Sequence, residues 1–173
     1  MGIQATYLGM PLQIDDLDVE NLAYFKHCAA HDFHLQRCTA CGLVRYPPTT
    51  ACPWCANPKS DWVPVEAKGT VHSYTEVHHA IQPAFKKYTP YLVLLVDLDL
   101  QKGKPTEHEA LRVMGNLTTP DGTLAPPGVV KSVGIGTRVR MVFADVAPGL
   151  ALPHWTIDEA APQPAKPWRY PQE

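Results

Sequence analysis

The stretch Cys38-Thr-Ala-Cys-Gly-Leu-Val-Arg-Tyr-Pro-Pro-Thr-Thr-Ala-Cys-Pro-Trp-Cys55 holds four of the five cysteines of the chain. They form two Cys-x-x-Cys pairs, Cys38 with Cys41 and Cys52 with Cys55. Two residues between thiolates let both sulfurs of a tight turn face one cation, and two such turns supply the tetrahedral sulfur set that Zn²⁺ accepts. Because proline and small residues dominate this stretch, apolar packing alone cannot hold it, and we expect a bound metal to do so.

Disulfides and a redox dithiol are the alternative uses of paired cysteines. Disulfides require an oxidising compartment, and the first twenty residues show no basic segment followed by an apolar one. A redox Cys-x-x-Cys opens a helix in a βαβ context, whereas proline surrounds these pairs. Metal is therefore favoured, with zinc as the expected ion and iron as the minor alternative. Since four thiolates leave no open position for water or substrate, the metal is expected to be structural.

The residues that follow the two pairs differ. Gly42 follows the first pair and suits the left-handed backbone position that such a turn reaches. Ala56 and Asn57 follow the second pair. Asparagine tolerates left-handed geometry, so Asn57 is expected to close the second turn.

Upstream of the cysteines, the sequence predicts an extended leader over residues 1–16 and then a short helix. Asp16 or Asp18 can cap this helix by accepting hydrogen bonds from its first amides. Spacing predicts one apolar stripe along it, formed by Val19, Leu22, Phe25 and Ala29. The fifth cysteine, Cys28, lies on the helix flank, where packing is favoured over a role as nucleophile. A second metal site is conceivable from His27 and His31, but no third ligand is indicated.

Beyond Trp62 the sequence changes to short strands separated by turns. Five runs have strand character, at residues 69–78, 91–100, 110–117, 138–146 and 150–157. Five short strands with turns between them predict a small antiparallel barrel, most often an OB-fold, with a sandwich as the alternative. The expected fold class is mainly β: a short N-terminal helix, a rubredoxin-like zinc ribbon and a five-stranded OB-fold barrel.

Proline is unusually frequent, with 18 in 173 residues. This is about twice the usual ~5%, and it disfavours long helices because an interior proline costs ~3 kcal/mol. Four of the prolines fall in the last thirteen residues, which are expected to form a flexible or surface-docked tail. The chain is thus divided into a leader and helix at 1–34, a zinc ribbon at 35–61, an OB-fold at 62–160 and a Pro-rich tail at 161–173.

Charge and hydropathy weigh against two broad classes of protein. The net charge is -2 and no segment is strongly basic, so the Lys/Arg footprint of a nucleic-acid binder is missing. The longest apolar run, residues 91–96, is strand-sized and far short of the ~18 residues of a membrane span. We therefore expect a cytoplasmic protein that does not bind a membrane, and nucleic acid is disfavoured as its partner.

The loop at residues 78–90 joins the first two predicted barrel strands, and such loops line the ligand face of OB-folds. Phe85 and Tyr88 offer flat rings, and Lys86 and Lys87 offer cationic donors. This set suits a phosphorylated adenine compound or an acidic partner. A solvated loop with two chance lysines is the alternative interpretation.

The order of these parts resembles a family with a rubredoxin-like zinc ribbon plus an OB-fold, formerly a domain of unknown function, that is associated with thiolases and acyl-CoA metabolism. The resemblance covers roughly residues 17–160. It lies in the segments 36–48, 69–75, 77–80, 90–93 and 135–143.

The resemblance implies a small subunit that binds a thiolase or ketosynthase-like catalytic subunit, with acyl-CoA at the shared interface. It also implies that the four paired cysteines hold the metal, and it assigns no catalytic residue to this chain. The expected function is therefore a non-catalytic accessory subunit. The alternatives are a stand-alone OB-fold module for acyl-CoA or single-stranded nucleic acid, and an acyltransferase that uses Cys28.

Overall fold

The computed structural model describes residues 2–170. Two antiparallel sheets and a hairpin follow one another along the chain, with two short helices. The strands are β1 (Ile3–Tyr7), β2 (Met10–Ile14), β3 (His34–Cys38), β4 (Val44–Arg45), β5 (Ser60–Pro64), β6 (Lys68–Val77), β7 (Tyr91–Leu98), β8 (Arg112–Asn116), β9 (Arg138–Ala147) and β10 (Leu150–Ile157). The helices are α1 (Val19–Ala29) and α2 (Pro127–Ser132), and Pro83–Tyr88 is a 3₁₀ helix.

The barrel is a five-stranded antiparallel sheet with the order β10-β9-β6-β7-β8. All five strands lie where the sequence predicts them, to within two residues. Leu117, just after β8, pairs with Trp155 of β10 and brings the two ends of the sheet together. The inward side chains of β7 are fully buried: Leu92, Leu94, Val96 and Leu98. The predicted fold class, mainly β with an OB-fold, is confirmed.

Helix α2, between β8 and β9, is a feature that the sequence did not reveal. The Pro-Pro-Gly at 126–128 is typical of a turn, yet Pro127 occupies the first helical position, where the missing N–H costs nothing. Val130 and Val133 are fully buried. Six residues are too few for a clear 3.6-residue period, so the buried valines rather than any sequence pattern explain this helix.

The ribbon is a three-stranded antiparallel sheet with the order β4-β3-β5. Strand β3 pairs along its whole length with β5, from His34 opposite Pro64 to Cys38 opposite Ser60. Leu35 of β3 is fully buried and belongs to the same apolar core as the barrel strands. The ribbon therefore packs onto the barrel through a shared core.

The predicted extended leader forms a β-hairpin, β1 with β2, whose turn is Leu8-Gly9. Both turn residues have positive φ, 51° and 84°, which is typical of a two-residue hairpin. The hairpin contacts β9 of the barrel. Met1 and residues 171–173 lie outside the described part of the chain.

Helix α1 begins at the predicted cap, since the carboxylate of Asp18 accepts a hydrogen bond from the Asn21 N–H. The predicted apolar stripe was wrong at its first residue, because Val19 is 60% exposed. The buried face is formed instead by Tyr24 and Cys28, one turn apart. Tyrosine and cysteine were not counted as apolar anchors, so the expected stripe was displaced around the helix.

The tail docks on the barrel as far as it is described, in agreement with one of the two expected outcomes. Ile135 and Trp168 exchange backbone hydrogen bonds of 2.9 and 3.1 Å. Arg169 bonds to the carbonyl of Val133 and to the carboxylate of Glu76. No helix within residues 2–170 is long and apolar enough to span a membrane.

Candidate metal centre

The first cysteine pair lies on the turn that joins β3 to β4. The Gly42 N–H donates to the carbonyl of Cys38 at 3.0 Å, and the Cys38 N–H donates to Leu43 at 2.9 Å. Gly42 has a φ of 75°, as the sequence predicted. These hydrogen bonds fold the turn tightly enough for Cys38 and Cys41 to direct their sulfurs to one point. We call residues 38–43 the first knuckle.

The second pair repeats the same hydrogen bonds at residues 52–57, the second knuckle. The Ala56 N–H donates to Cys52 at 2.8 Å, and the Cys52 N–H donates to Asn57 at 2.9 Å. The prediction that Asn57 takes the left-handed conformation was wrong, since Ala56 has a φ of 60°. Ala56 stands where Gly42 stands in the first knuckle, so the repeat of the hydrogen bonds fixes its backbone despite its Cβ.

The four sulfurs converge. All four Sγ atoms lie within 4.8 Å of one another, and the Cys38–Cys55 and Cys41–Cys52 sulfur pairs are each 3.6 Å apart. A tetrahedral ion with metal–sulfur bonds of ~2.3 Å separates its sulfurs by about 3.8 Å. The predicted set Cys38, Cys41, Cys52 and Cys55 is therefore brought together at a spacing that fits one such ion.

The pKa values of the thiols indicate which of them would lose a proton only when a cation binds. Hydrogen bonds from the Cys41 backbone and then from Asn57 lower the pKa of Cys38 to about 5. For Cys41, a backbone hydrogen bond from Leu43 favours the thiolate, but desolvation and the neighbouring sulfurs outweigh it and raise the pKa to about 12. Four thiolates cannot persist side by side without a cation that replaces the remaining protons.

Asn57 has a role in the centre that the sequence did not show. Its Nδ2 donates to the sulfur of Cys38 at 3.5 Å, to Thr39 Oγ1 at 3.0 Å and to the carbonyl of Lys59 at 3.1 Å. One side chain of the second knuckle thus holds the first knuckle in place. Such contacts around metal ligands orient the ligands and stabilise the thiolate form.

A buried arginine supports the ribbon from inside. Arg45 is 3% exposed, and its guanidinium donates to Gln36 Oε1 at 3.0 Å, to the Thr49 carbonyl at 2.9 Å and to Ser60 Oγ at 3.1 Å. These partners come from β3, from the loop before the second knuckle and from β5. Arg45 therefore ties together the segments that flank the two knuckles. The sequence signal for this role is the position of Gln36 and Arg45, each directly after an apolar residue, Leu35 or Val44.

Cys28 is fully buried, and burial raises its pKa to about 12. This confirms the packed cysteine, and both the burial and the raised pKa disfavour a nucleophilic role. The nearby histidines do not form a metal site with it. The only cluster of three or more potential ligands within residues 2–170 is the four-cysteine set.

The histidines of α1 instead join the helix to its neighbours. The ring of His27 stacks on His34 at 4.2 Å and lies 5.3 Å from Trp62, both in the ribbon. His31 stacks on Phe143 at 5.4 Å and bonds to Asp145 at 2.9 Å, both in the barrel. Helix α1 thereby contacts both the ribbon and the barrel.

The candidate ligand loop is the 3₁₀ helix Pro83–Tyr88. Phe85 is half-buried, with its ring 5.2 Å from Tyr91 and 6.3 Å from Tyr7 of the leader hairpin. Lys86 and Lys87 are exposed, and the Lys87 ammonium lies 4.9 Å from the Tyr88 ring centroid. The structure thus fixes Phe85 by aromatic packing and leaves the two lysines at the surface.

Comparison with known proteins supports this architecture. A family model described as the C-terminal OB-fold domain of ChsH2 matches residues 62–144. A chain of the solved structure named Ltp2-ChsH2(DUF35) aldolase superposes with a TM-score of 0.63 and 29% identity. The match covers 83% of this chain and 98% of that one.

Two curated relatives are similar in sequence. A probable enoyl-CoA hydratase alpha subunit from Thermomonospora curvata is 35% identical over 136 residues, which are 78% of this chain and 36% of the relative. A DUF35 domain-containing scaffold protein from Methanocaldococcus jannaschii is 33% identical over 109 residues, which are 62% of this chain and 64% of the relative. The chain spans less than two thirds of either relative. Residues 62–144 thus match the OB-fold of ChsH2, and the chain, with its four-cysteine ribbon, is similar to a DUF35 scaffold protein and to a chain of the Ltp2-ChsH2(DUF35) aldolase.

Proposed function

We propose that this chain is a non-catalytic, zinc-binding accessory subunit of a thiolase-type enzyme that forms or cleaves carbon–carbon bonds in acyl-CoA substrates. The observation that carries the proposal is the similarity to a chain of the Ltp2-ChsH2(DUF35) aldolase over almost the whole of that chain. The name of the Methanocaldococcus jannaschii relative, a scaffold protein, agrees with an accessory role. The proposed location is the cytoplasm.

The cysteines support the non-catalytic half of the proposal. Thiolase chemistry requires an activated cysteine nucleophile. Four of the five cysteines here face one another within 4.8 Å, and Cys28 is fully buried. The reactive thiolate is therefore expected on the partner subunit rather than on this chain.

The donor set supports zinc as the ion. Four thiolates in a tetrahedron are the usual ligands of structural zinc, whereas magnesium and calcium take oxygen ligands. Iron accepts the same sulfur set and stays the minor alternative. With all four positions filled by cysteine, the ion would hold the two knuckles together and take no part in the reaction.

The 3₁₀ helix is the proposed contact with the CoA ester. Lys86 and Lys87 are exposed and can reach phosphate groups, while the packing of Phe85 on Tyr7 and Tyr91 holds the loop in place. Tyr88 lies beside the Lys87 ammonium and offers a ring to an adenine. The loop would then approach the substrate only where the catalytic subunit presents it.

Affinity purification of the tagged chain from its own organism, with mass spectrometry of the bound polypeptides, tests the proposal. We expect a thiolase-fold polypeptide in a fixed ratio to the chain, and thioester turnover by the complex but not by the chain alone. A Cys28→Ala variant should retain full complex activity. Thioester cleavage by the isolated chain, or purification without any thiolase-fold polypeptide, would contradict the proposal.

An enoyl-CoA hydratase is the second candidate for the partner, because the Thermomonospora curvata relative bears that name. The partner's reaction separates the two candidates: a hydratase adds water to a double bond and breaks no carbon–carbon bond. A stand-alone binding module is a third possibility. Calorimetry of the isolated chain with CoA esters and with oligonucleotides would detect it, and oligonucleotide binding would weaken with salt.

A further inference from the structure

A cleft of about 760 Å³ lies between the ribbon and the segment that follows β7. Its apolar walls include Leu43, Val63 and Leu100, and Leu100 is 41% exposed. Arg37 and Lys104 also line it, together with the metal-ligand candidate Cys41, and among residues 2–170 no aspartate or glutamate does. The cleft therefore combines an apolar floor with two positive charges, in the size range of typical ligand sites.

The two cations of the cleft are not neutralised by ion pairs. Among residues 2–170, neither Arg37 nor Lys104 takes part in a salt bridge. Asp61 lies opposite Arg37 in the sheet register but does not line the cleft. The nearby Lys102 is paired with Asp99 at 2.8 Å. The cleft thus favours an occupant that brings both apolar side chains and carboxylates.

Such a segment lies upstream of the cleft residues, in the turn before α1. Residues 15–19, the acidic turn, read Asp-Asp-Leu-Asp-Val. Leu17 is 87% exposed and Val19 is 60% exposed. The Leu17 N–H donates to the Asp15 carboxylate at 2.8 Å, so the turn is held in shape before any partner arrives. The acidic turn therefore presents apolar side chains and carboxylates side by side at the surface.

We propose that a second copy of this chain covers the acidic turn by receiving it in the cleft. Leu17 would then pack against the apolar floor while the carboxylates of the turn face Arg37 and Lys104. Each copy carries both features, so a reciprocal exchange closes a two-fold dimer. Contacts of this size are transient, and the dimer is expected to form in a concentration-dependent equilibrium that weakens as salt is raised.

Sedimentation velocity of the purified full chain over a wide concentration range tests this, using two charge-reversal variants. One is Arg37→Glu with Lys104→Glu, and the other is Asp15→Lys with Asp16→Lys, which leaves the helix cap Asp18 unchanged. Each variant alone places like charges in contact and should stay monomeric. An equimolar mixture pairs opposite charges at both contacts and should associate again.

A matched control reverses two other exposed cations, Lys26→Glu with Lys131→Glu, and should associate like the wild type. Leu17 is exposed in the single chain, so Leu17→Ala should leave its stability unchanged. The variant should weaken association about tenfold or more, since it removes an apolar side chain that the proposed dimer buries. Thermal melting of each variant shows whether it is folded.

A wild-type chain that stays monomeric at every concentration would overturn the proposal, as would association that neither charge reversal reduces. A wild type that stays monomeric while its cleft binds a carboxylate-bearing small molecule or another protein would identify a different occupant. That result would equally contradict the proposal of a second copy. The test uses the isolated chain alone, so its failure leaves the proposed accessory function untouched.

Discussion

At Ala56 the second knuckle has a residue with a Cβ in the left-handed conformation, whereas the first knuckle has Gly42 at the equivalent position. Ala56 holds a φ of 60° that Gly42 takes freely in the first knuckle. A left-handed conformation costs a residue with a Cβ about 1–2 kcal/mol, part of which returns as lower entropy of the unfolded chain. Ala56→Gly should therefore raise the free energy of unfolding by about 0.5–1 kcal/mol, as measured by denaturant titration of the metal-loaded chain.

Gly42→Ala is the reciprocal control. A Cβ at Gly42 would meet no atom of residues 2–170 within 4 Å, so any loss is conformational rather than steric. We expect a loss of about 1 kcal/mol. If Ala56→Gly and Gly42→Ala both leave the free energy of unfolding unchanged, the left-handed conformation does not destabilise these turns.

His154 is expected to make the stability of the fold depend on pH. It is 6% exposed, neither ring nitrogen has a hydrogen-bond partner within residues 2–170, and its pKa is lowered to about 4 by burial. In the unfolded chain its pKa is near 6.5, so between these values the unfolded state binds more protons. The stability contributed by neutral His154 is present above about pH 6.5 and is lost as the pH falls toward 4.

We expect His154→Phe to reduce this acid destabilisation, by about 3 kcal/mol at most across the window. Denaturant titrations of both proteins at a series of pH values measure the difference. The comparison between variants cancels any effect of acid on the cysteine ligands, which both proteins share. Parallel pH profiles would show that His154 is not the group responsible.

Among the elements, the barrel strands were predictable because each is longer than four residues and is bounded by turn residues. Helix α2 and the displaced face of α1 were not, because six residues carry little periodicity and because Tyr24 and Cys28 serve as core anchors without being strongly apolar. The cysteine spacing predicted which four sulfurs the structure brings together. It could not predict the roles of Asn57 and Arg45 around the cysteines, because their contacts join segments that are separate in the sequence.

The 3₁₀ helix Pro83–Tyr88 is the element that tests the proposed CoA contact. Reversing both charges with Lys86→Glu and Lys87→Glu should raise the KM of the complex for acyl-CoA or weaken its assembly, because like charges would then face the phosphates. Steady-state kinetics and sedimentation of the complex separate these effects. A control that reverses the exposed Lys26 and Lys131 should change neither, and unchanged values for the loop variant would remove this element from the substrate contact.

At the scale of the whole molecule, the ribbon and the barrel are held by different means. The barrel has a continuous core that includes Leu92, Leu94 and Val113, whereas the two knuckles are loops that meet at the four sulfurs and at the side chain of Asn57. Removal of the metal by a chelator is therefore expected to loosen β3–β5 and leave the barrel folded. Hydrogen exchange should show loss of protection in residues 35–61 and retained protection in β6–β10. Uniform protection after metal removal would show that the ribbon stands without an ion.

The central claim is that a sulfur-coordinated ion closes the two knuckles. Elemental analysis by inductively coupled plasma mass spectrometry of the freshly purified chain, in parallel with a Cys52→Ser, Cys55→Ser variant, tests it most directly. We predict one equivalent of zinc per wild-type chain and a loss of bound metal in the variant. A wild-type chain that carries neither zinc nor iron would contradict the claim.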